Sequence, residues 1–219
     1  MQILNGAQFK KMDFWKAMAA GEGIAILALP VINNLNFFGA VSVKNSFILP
    51  VFLIAWMIIL PFAAAVGLYL VYLLTAHKWP IVFQIGKYGV IGILNTVMTA
   101  GIFNFFIWMT GRATGLMVDF FIFIAFVVTV THSFFWNKFW TFGANHRDGA
   151  EMEYVKFFSV TGFTALLEVV IMHIFINTIG APSGIDPKIW ANVAFAILIP
   201  MAFLGNFFGY KIFVFKKYP

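Results

Sequence analysis

The chain alternates long apolar stretches with short polar segments. A helix that crosses the hydrocarbon core of a membrane needs roughly 20 apolar residues, and stretches of this kind recur along the whole sequence. They lie at residues 17–37, 48–74, 86–109, 118–140, 157–178 and 189–210. Runs such as residues 122–130 are apolar on every side, without the alternation of a β-barrel strand. The pattern predicts an all-α integral membrane protein with about six transmembrane helices.

The segments between these stretches contain the residues that usually end helices. Glycine, proline, asparagine and charged residues cluster at residues 33–44, 75–80, 110–115, 143–151 and 180–187. The first stretch is less regular, because it contains Glu22, Pro30 and Asn33 within its apolar sequence. It is compatible with a full span and also with a re-entrant or interfacial helix.

Basic residues are distributed unevenly between the two sides of the predicted spans. With both termini inside, the cytoplasmic segments contain Lys10, Lys11, Lys16, Lys78, Lys87, Lys138, Arg147, Lys156, Lys211, Lys216 and Lys217, and the outer segments contain Lys44, Arg112 and Lys188. Cytoplasmic loops carry an excess of Lys and Arg, so this distribution favours six spans. We therefore expect a multi-pass protein of the cytoplasmic (inner) membrane with both termini in the cytoplasm.

The composition excludes a soluble protein. Hydrophobic residues make up 62% of the 219 residues, and charged residues only 10%. Soluble domains carry roughly 25% charged residues, because their surface faces water. The net charge of +6 comes from basic residues scattered between apolar stretches, so it does not indicate nucleic-acid binding. The chain has no cysteine, which excludes disulfides, thiolate metal sites and cysteine nucleophiles.

Two segments of the chain look like copies of one helical hairpin. The identical pairs are Phe134 and Phe207, Phe135 and Phe208, Lys138 and Lys211, and Phe142 and Phe215. Upstream, residues 87–92 resemble residues 156–162 with one extra residue. Each copy begins and ends with a basic residue, which predicts two parallel hairpin repeats, residues 81–142 and 152–216. Residues 1–80 would then form a two-helix extension, and residues 81–219 a four-helix domain.

Three short motifs carry a resemblance to a known family. They are Lys87-Tyr-Gly-Val-Ile-Gly92, the adjoining Gly92-Ile-Leu-Asn95-Thr96, and Asn137-Lys138-Phe-Trp140-Thr141-Phe142. With them the chain resembles the GtrA-like family over residues 81–219, and the third motif is the most specific. The chain differs from the family pattern in the added residues 1–80, and its second copy has Tyr210-Lys211 in place of Asn-Lys.

The resemblance implies a function in moving a lipid-linked sugar. Members of the GtrA-like family are implicated in translocating polyprenyl-phosphate-linked monosaccharides across the membrane for cell-envelope glycan synthesis. By this resemblance we expect a flippase and not an enzyme, with no cofactor or metal, that binds the lipid substrate among membrane lipids. We also expect a homo-oligomer, because two repeats in a short chain suit half of a translocation path. The alternative is a non-transporting subunit that binds the carrier lipid and recruits a membrane glycosyltransferase.

A lipid-linked sugar requires cations for its phosphate and hydrogen-bonding groups for its sugar. The predicted cytoplasmic ends of the repeat helices carry Lys87, Lys138, Lys156 and Lys211, which either bind the phosphate or anchor the helices at lipid headgroups. Polar residues at helical spacing, which either join helices or line a path, are Asn95, Thr99, Thr129, Ser133, Asn137, Asn192 and Asn206. Trp140 belongs to the third motif and lies near a predicted cytoplasmic boundary.

Glu168 lies near the middle of the fifth predicted helix. An ionised carboxylate is costly inside a membrane, so an acidic residue there is a candidate for function. It either binds a proton that drives transport, contacts sugar hydroxyls, or stays protonated and hydrogen-bonded.

A second class of function is an enzyme. Asp148, Glu151 and Glu153 lie in one short segment, where they would form either a metal or nucleotide site or a solvated loop. The chain has no P-loop, G-x-S-x-G or H-E-x-x-H motif. The sequence therefore favours transport over catalysis.

Overall fold

The computed structural model describes residues 8–34, 38, 47–75, 78–111, 116–144, 149–185, 197 and 200–215. Within these ranges, the side chains of residues 116, 118, 119, 122, 168, 169, 172, 173, 176 and 177 are not described. The described chain is helical and contains no β-strand, which confirms the predicted all-α fold.

Six α-helices account for most of the described residues. They are α1 (Lys11–Asn34), α2 (Ile48–Thr75), α3 (Pro80–Thr110), α4 (Leu116–Trp136), α5 (Ala150–His173) and α6 (residues 200–209). Among the described residues, α1, α2 and α3 are each long and apolar enough to cross a membrane. The described part of the first stretch, residues 17–34, thus lies in one unbroken helix despite Pro30, and the length and composition of α1 suit a full span.

The ends of α3 follow from the residues that flank it. Pro80 stands at the first helical position, where its missing N–H costs no hydrogen bond. At the other end Gly111 adopts a left-handed conformation with φ 66°, and its N–H donates to the carbonyl oxygen of Ile107. These two residues explain why the sequence breaks predicted near residues 75–80 and 110–115 coincide with helix ends.

The described residues up to Gly143 form one compact unit, in which α1 packs against both α2 and α3. The helices approach closely at glycines. A Cβ on Gly101 would come within 2.2 Å of the carbonyl oxygen of Leu27, and one on Gly21 within 2.6 Å of the carbonyl oxygen of Leu60. Such small-residue contacts allow backbones in a membrane to pack tightly. The extension is therefore packed directly on the first hairpin repeat.

Two polar contacts add to this packing. The indole Nε1–H of Trp56 on α2 donates to the carbonyl oxygen of Ala25 on α1 at 3.0 Å. At the end of α1, the side-chain amide of Asn34 donates to the backbone oxygen of Asn104 on α3 at 2.9 Å. Asn34, which the sequence placed in a break, instead belongs to the last turn of the helix. The division of the chain at residue 80 remains a prediction about its domains.

The described residues from Ala144 onward form a second unit. In it α5 packs against the segment that follows α6, and the ring of Phe157 stacks on that of Tyr210 with centroids 4.0 Å apart. A groove of 530 Å³ lies between α5 and α6. Its lining is mainly apolar and includes Phe163, Leu167 and Phe208. This unit contains the described part of the second hairpin repeat.

Candidate functional site

Both copies of the predicted repeat end in a turn of π-helix. These turns are Asn137–Thr141 after α4 and Tyr210–Val214 after α6. In the first turn the N–H of Phe142 donates to the carbonyl oxygen of Asn137 at 2.9 Å, and in the second that of Phe215 donates to Tyr210 at 2.8 Å. π-Helical turns are rare and occur frequently at functional sites. The two motifs that align in sequence therefore share an unusual local structure.

The matched lysines of the two turns also have matched surroundings. The Nζ of Lys138 lies 5.8 Å from the ring centroid of Phe134, and that of Lys211 lies 5.8 Å from Phe207. Both distances are within the range of a cation–π interaction. Lys138 is only 2% exposed, so it does not extend into water as a simple headgroup anchor would. Lys211 is half-buried, whereas Lys156 at the start of the second copy is exposed.

Lys87 forms an ion pair with Asp13, a residue of the extension. The two side chains are 15% and 6% exposed, so the pair is largely shielded from water. The same carboxylate oxygen, Oδ1, accepts a hydrogen bond of 2.8 Å from the indole Nε1–H of Trp140. Lys87 Nζ also lies 4.7 Å from the ring centroid of Phe83 and 6.0 Å from that of Trp140. A lysine and an indole N–H thus converge on one oxyanion; we call Lys87, Trp140 and Asp13 the anion cluster.

Helical geometry explains this convergence. Lys87 lies two turns from the start of α3, and Trp140 lies on the π-turn that ends α4, which contacts α3. Asp13 occupies the first turn of α1, where its other oxygen, Oδ2, accepts the backbone N–H of Lys10 at 2.9 Å. An acidic side chain that bonds back to the residue before the helix is half of a capping box. Local capping therefore holds Asp13 at the position from which it reaches the hairpin.

The polar stripes predicted on the third and fourth spans face each other. The side-chain Nδ2 of Asn95 on α3 donates to the Ser133 hydroxyl on α4 at 2.7 Å. One turn away along α3, the hydroxyl oxygens of Thr99 and Thr129 lie 3.1 Å apart. Asn137 extends the line, because its Nδ2 donates to the Ser133 hydroxyl at 3.2 Å. We call these five residues the polar seam, and in this structure they join α3 to α4.

Some buried polar atoms near the end of this seam are unsatisfied. Among the described residues, Asn137 Oδ1 and Thr141 Oγ1 have no hydrogen-bond partner, although Asn137 is 0% and Thr141 5% exposed. A buried acceptor or hydroxyl without a partner is costly, and it is therefore uncommon in native proteins. Both atoms belong to the same π-turn as Lys138 and Trp140. This turn has spare hydrogen-bonding capacity that a polar ligand or water would satisfy.

The remaining candidates belong to the second unit. Asn206 Oδ1 is a third buried atom without a hydrogen-bond partner among the described residues. Tyr210, at the position that matches Asn137, lies 2.7 Å from the Thr161 hydroxyl through its own hydroxyl. Glu168 lies on α5, but its side chain is outside the described part of the structure. The roles predicted for Asn206, Lys211 and Glu168 therefore remain predictions.

Sequence reasoning missed Asp13, which the structure shows to be the partner of two predicted site residues. The sequence did offer one indication, because acidic residues are scarce: the chain has only 8, and Asp13 lies among lysines just before an apolar stretch. It also missed Gln84, whose side-chain amide donates to the carbonyl oxygen of Thr141 at 3.0 Å. No sequence pattern indicated that contact, because it depends on the course of the π-turn.

The acidic segment considered for an enzyme is only partly described. Glu151 is exposed at the start of α5, and Glu153, two residues further along the helix, is buried. Asp148 and the predicted Asn192 lie outside the described residues. In the described part of the chain, no three His, Asp or Glu side chains lie close enough to hold a metal ion.

A comparison with protein families matches most of the chain beyond the extension. The model of a family described as GtrA/DPMS, transmembrane domain, matches residues 87–215. This range begins at Lys87, ends just after the second π-turn, and leaves Asp13 outside. No curated protein and no solved structure matches the chain.

The fold and the site define a class of protein, namely an all-helical membrane protein in which Lys138 is buried and Lys87 is largely shielded from water. The chain belongs to the GtrA/DPMS transmembrane-domain family. The family predicted from the three sequence motifs is thereby confirmed.

Proposed function

We propose that this protein translocates a polyprenyl-phosphate-linked monosaccharide across the cytoplasmic membrane. The observation that supports this most directly is the anion cluster, in which Lys87 and Trp140 hold the Asp13 carboxylate. A phosphate ester presents the same kind of oxygen to the same two donors. Charge-assisted hydrogen bonds of this type are the strong ones in proteins, and they become stronger where water is excluded.

The polar seam is suited to the sugar part of such a lipid. Asn95, Ser133 and Asn137 form a line of amide and hydroxyl groups through the apolar interior of the first unit. The unsatisfied Asn137 Oδ1 and Thr141 Oγ1 offer hydrogen-bonding positions to hydroxyl groups. A sugar passing along α3 and α4 would replace contacts within the seam by contacts of its own. Such exchange keeps the cost of moving a polar group through the membrane low.

The proposal gives the protein no catalytic step and no cofactor. The distribution of basic residues supports cytoplasmic termini, which would place the anion cluster near the cytoplasmic face. There it would receive the lipid phosphate from the leaflet in which the lipid-linked sugar is made. We further propose that the chain acts as a homo-oligomer and operates beside a membrane glycosyltransferase that uses the translocated lipid.

The test is translocation of a polyprenyl-phosphate-hexose in proteoliposomes that contain the purified chain. A membrane-impermeant reagent that attacks only outward-facing sugar measures the fraction of lipid that has crossed. We expect the protein to expose the inner-leaflet pool at a rate that protein-free vesicles do not reach. Lys87→Met should lower that rate by about tenfold or more, because one charge-assisted hydrogen bond to the phosphate is lost.

Lys78→Met is the matched control, because Lys78 is exposed just before α3. It should translocate at the rate of the unmodified protein. A chain that binds the lipid but leaves the inner-leaflet pool inaccessible would contradict translocation, and would instead favour the non-transporting subunit that recruits a glycosyltransferase. Equal translocation rates for Lys87→Met and Lys78→Met would show that Lys87 does not bind the substrate phosphate.

A further inference from the structure

Asp13 uses both of its carboxylate oxygens in this structure. Oδ2 caps the first turn of α1 through the N–H of Lys10, and Oδ1 accepts from Lys87 and Trp140. The two donors lie within residues 87–215, which the family model matches, and the carboxylate comes from outside that range. The extension therefore supplies the anion for a pair of donors that belong to the family domain.

Lys87 is largely shielded from water, so its charged form is stabilised by a counter-charge. An ammonium group taken out of water without a partner is strongly disfavoured. Lys87 can meet this need with Asp13 or with another oxyanion. Trp140 has a single N–H donor, so a phosphate that binds both Lys87 and Trp140 must take the place of Asp13 Oδ1, and the two anions would also repel each other there.

We propose that Asp13 is a resident anion at a lipid-phosphate site, and that the substrate phosphate binds by displacing it from Lys87 and Trp140. This inference rests on the function proposed above and adds to it the residue that the substrate competes with. Phosphate then takes the Lys87 ammonium and the Trp140 indole N–H, while the Asp13 side chain rotates away from these two donors.

The packing of α1 suits such a local movement. Its middle is fixed where Gly21 meets the backbone of α2 and where the Leu27 carbonyl meets Gly101 on α3. Its start also stays packed, because Phe14 contacts the hydrophobic core and Phe9, just before the helix, contacts the rings of Tyr72 and Phe83. Displacement therefore requires only that the Asp13 side chain rotates away from Lys87 and Trp140, while the helix itself stays packed. Lys10 and Lys11 beside it would remain available to an approaching anion.

The decisive variant is Asp13→Asn, which keeps the size of the side chain and an oxygen for capping but removes the charge. The probe is farnesyl phosphate, a short polyprenyl phosphate, and its binding is measured with the full chain in phosphatidylcholine nanodiscs. If the site is open in a minority of molecules, removing the competing anion raises the apparent affinity by about tenfold or more. Glu22→Gln is the matched control on the same helix, and it should bind like the unmodified protein.

If Asp13 had only a structural role, the opposite result would be expected. Asp13→Asn would then loosen the site, and affinity for farnesyl phosphate would fall or stay unchanged. Either result overturns the proposal. Farnesol, which lacks the phosphate, should bind the unmodified protein and Asp13→Asn equally. Equal competition by inorganic phosphate or phosphatidylglycerol would assign the site to free phosphate or to bulk lipid, and would also overturn the proposal.

A second measurement needs no variant. Amide hydrogen exchange over residues 8–16 should accelerate when farnesyl phosphate binds, because Asp13 leaves both the anion cluster and its cap. Farnesol should have no such effect. Bound farnesyl phosphate with unchanged exchange in this segment would show that Asp13 stays in place, and would contradict displacement.

The two proposals fail in different ways. If the chain does not translocate lipid but Asp13→Asn tightens binding of farnesyl phosphate, the proposal about Asp13 is supported and the proposed translocation is contradicted. If the chain translocates lipid but Asp13→Asn does not bind farnesyl phosphate more tightly, translocation is supported and the proposal about Asp13 is contradicted.

Discussion

Trp140 and Asp13 are 127 residues apart in the sequence, and the indole Nε1–H of Trp140 donates to the Asp13 carboxylate at 2.8 Å. This contact joins the most specific family motif to a helix outside the family match. The cluster at this end of the bundle thus depends on two segments that the sequence presents as separate.

Replacing Trp140 by phenylalanine should destabilise the protein. Trp140→Phe keeps an aromatic ring in the buried position but removes the donor to a charged acceptor. Hydrogen bonds to charged groups contribute about 1.5–3 kcal/mol, so the free energy of unfolding should fall by that order. Thermal unfolding in detergent measures the change. Trp79→Phe is the control, since Trp79 is 59% exposed, and a similar loss in both variants would contradict the role of the hydrogen bond.

The sequence predicted the helices well because each span depends on local composition. Apolar length and flanking residues such as Pro80 and Gly111 place the ends of α3 within a few residues. The sequence alignment also paired Lys138 with Lys211, and both lysines lie in π-turns, while the hairpin repeat as a whole stays a prediction. These features depend on neighbours in the chain, which a single sequence displays.

The sequence did not reveal that Asp13 is the partner of Lys87, because this contact joins residues that are far apart in the chain. Pairing with Asp13 depends on how α1 lies across α3, which is set by close contacts such as the one between Gly101 and Leu27. No local pattern encodes that arrangement. The same holds for the polar seam, because the stripes on α3 and α4 were predicted singly, and only packing shows that they face each other.

The ion pair between Asp13 and Lys87 should show strong coupling in a double-mutant cycle. Lys87→Met alone leaves a buried carboxylate without its cation, and breaking one side of a buried pair costs roughly 3–5 kcal/mol. Adding Asp13→Asn removes the stranded charge, so the double variant should recover part of the loss. Unfolding of the four proteins in detergent gives the coupling energy, and additive losses would show that the two side chains do not interact in the folded protein.

The packing of the extension on α3 depends on Gly101. Gly101→Ala would place a methyl group within 2.2 Å of the Leu27 carbonyl oxygen, where only a backbone shift relieves the clash. Overpacking of this kind costs about 1–3 kcal/mol, so the melting temperature should fall. Gly67→Ala is the matched control on α2, because a Cβ there meets nothing within 4 Å. It should have a melting temperature equal to or above that of the unmodified protein, and equal values for the two variants would refute the close approach.

The Ser133 hydroxyl accepts from two amide groups, so Ser133→Ala should weaken the polar seam. Asn95 and Asn137 would each lose one acceptor. Hydrogen bonds between membrane helices average about 0.6 kcal/mol and reach about 1.7, so the loss in unfolding free energy should be about 1 kcal/mol. Ser159→Ala on α5 is the control, because that exposed hydroxyl donates to the carbonyl oxygen of Val155 in its own helix. A loss for Ser159→Ala as large as that for Ser133→Ala would contradict the seam.

Glu168 remains the candidate for coupling transport to protons. It lies within α5, where an acidic side chain is costly unless it binds a proton or serves the substrate. Glu168→Gln imitates the protonated form permanently, so translocation in proteoliposomes should lose its dependence on pH while the protein stays folded by thermal unfolding. Glu151→Gln is the matched control, because Glu151 is exposed in the first turn of the same helix, and its pH profile should be unchanged. A pH profile that survives Glu168→Gln would exclude Glu168 as the proton carrier.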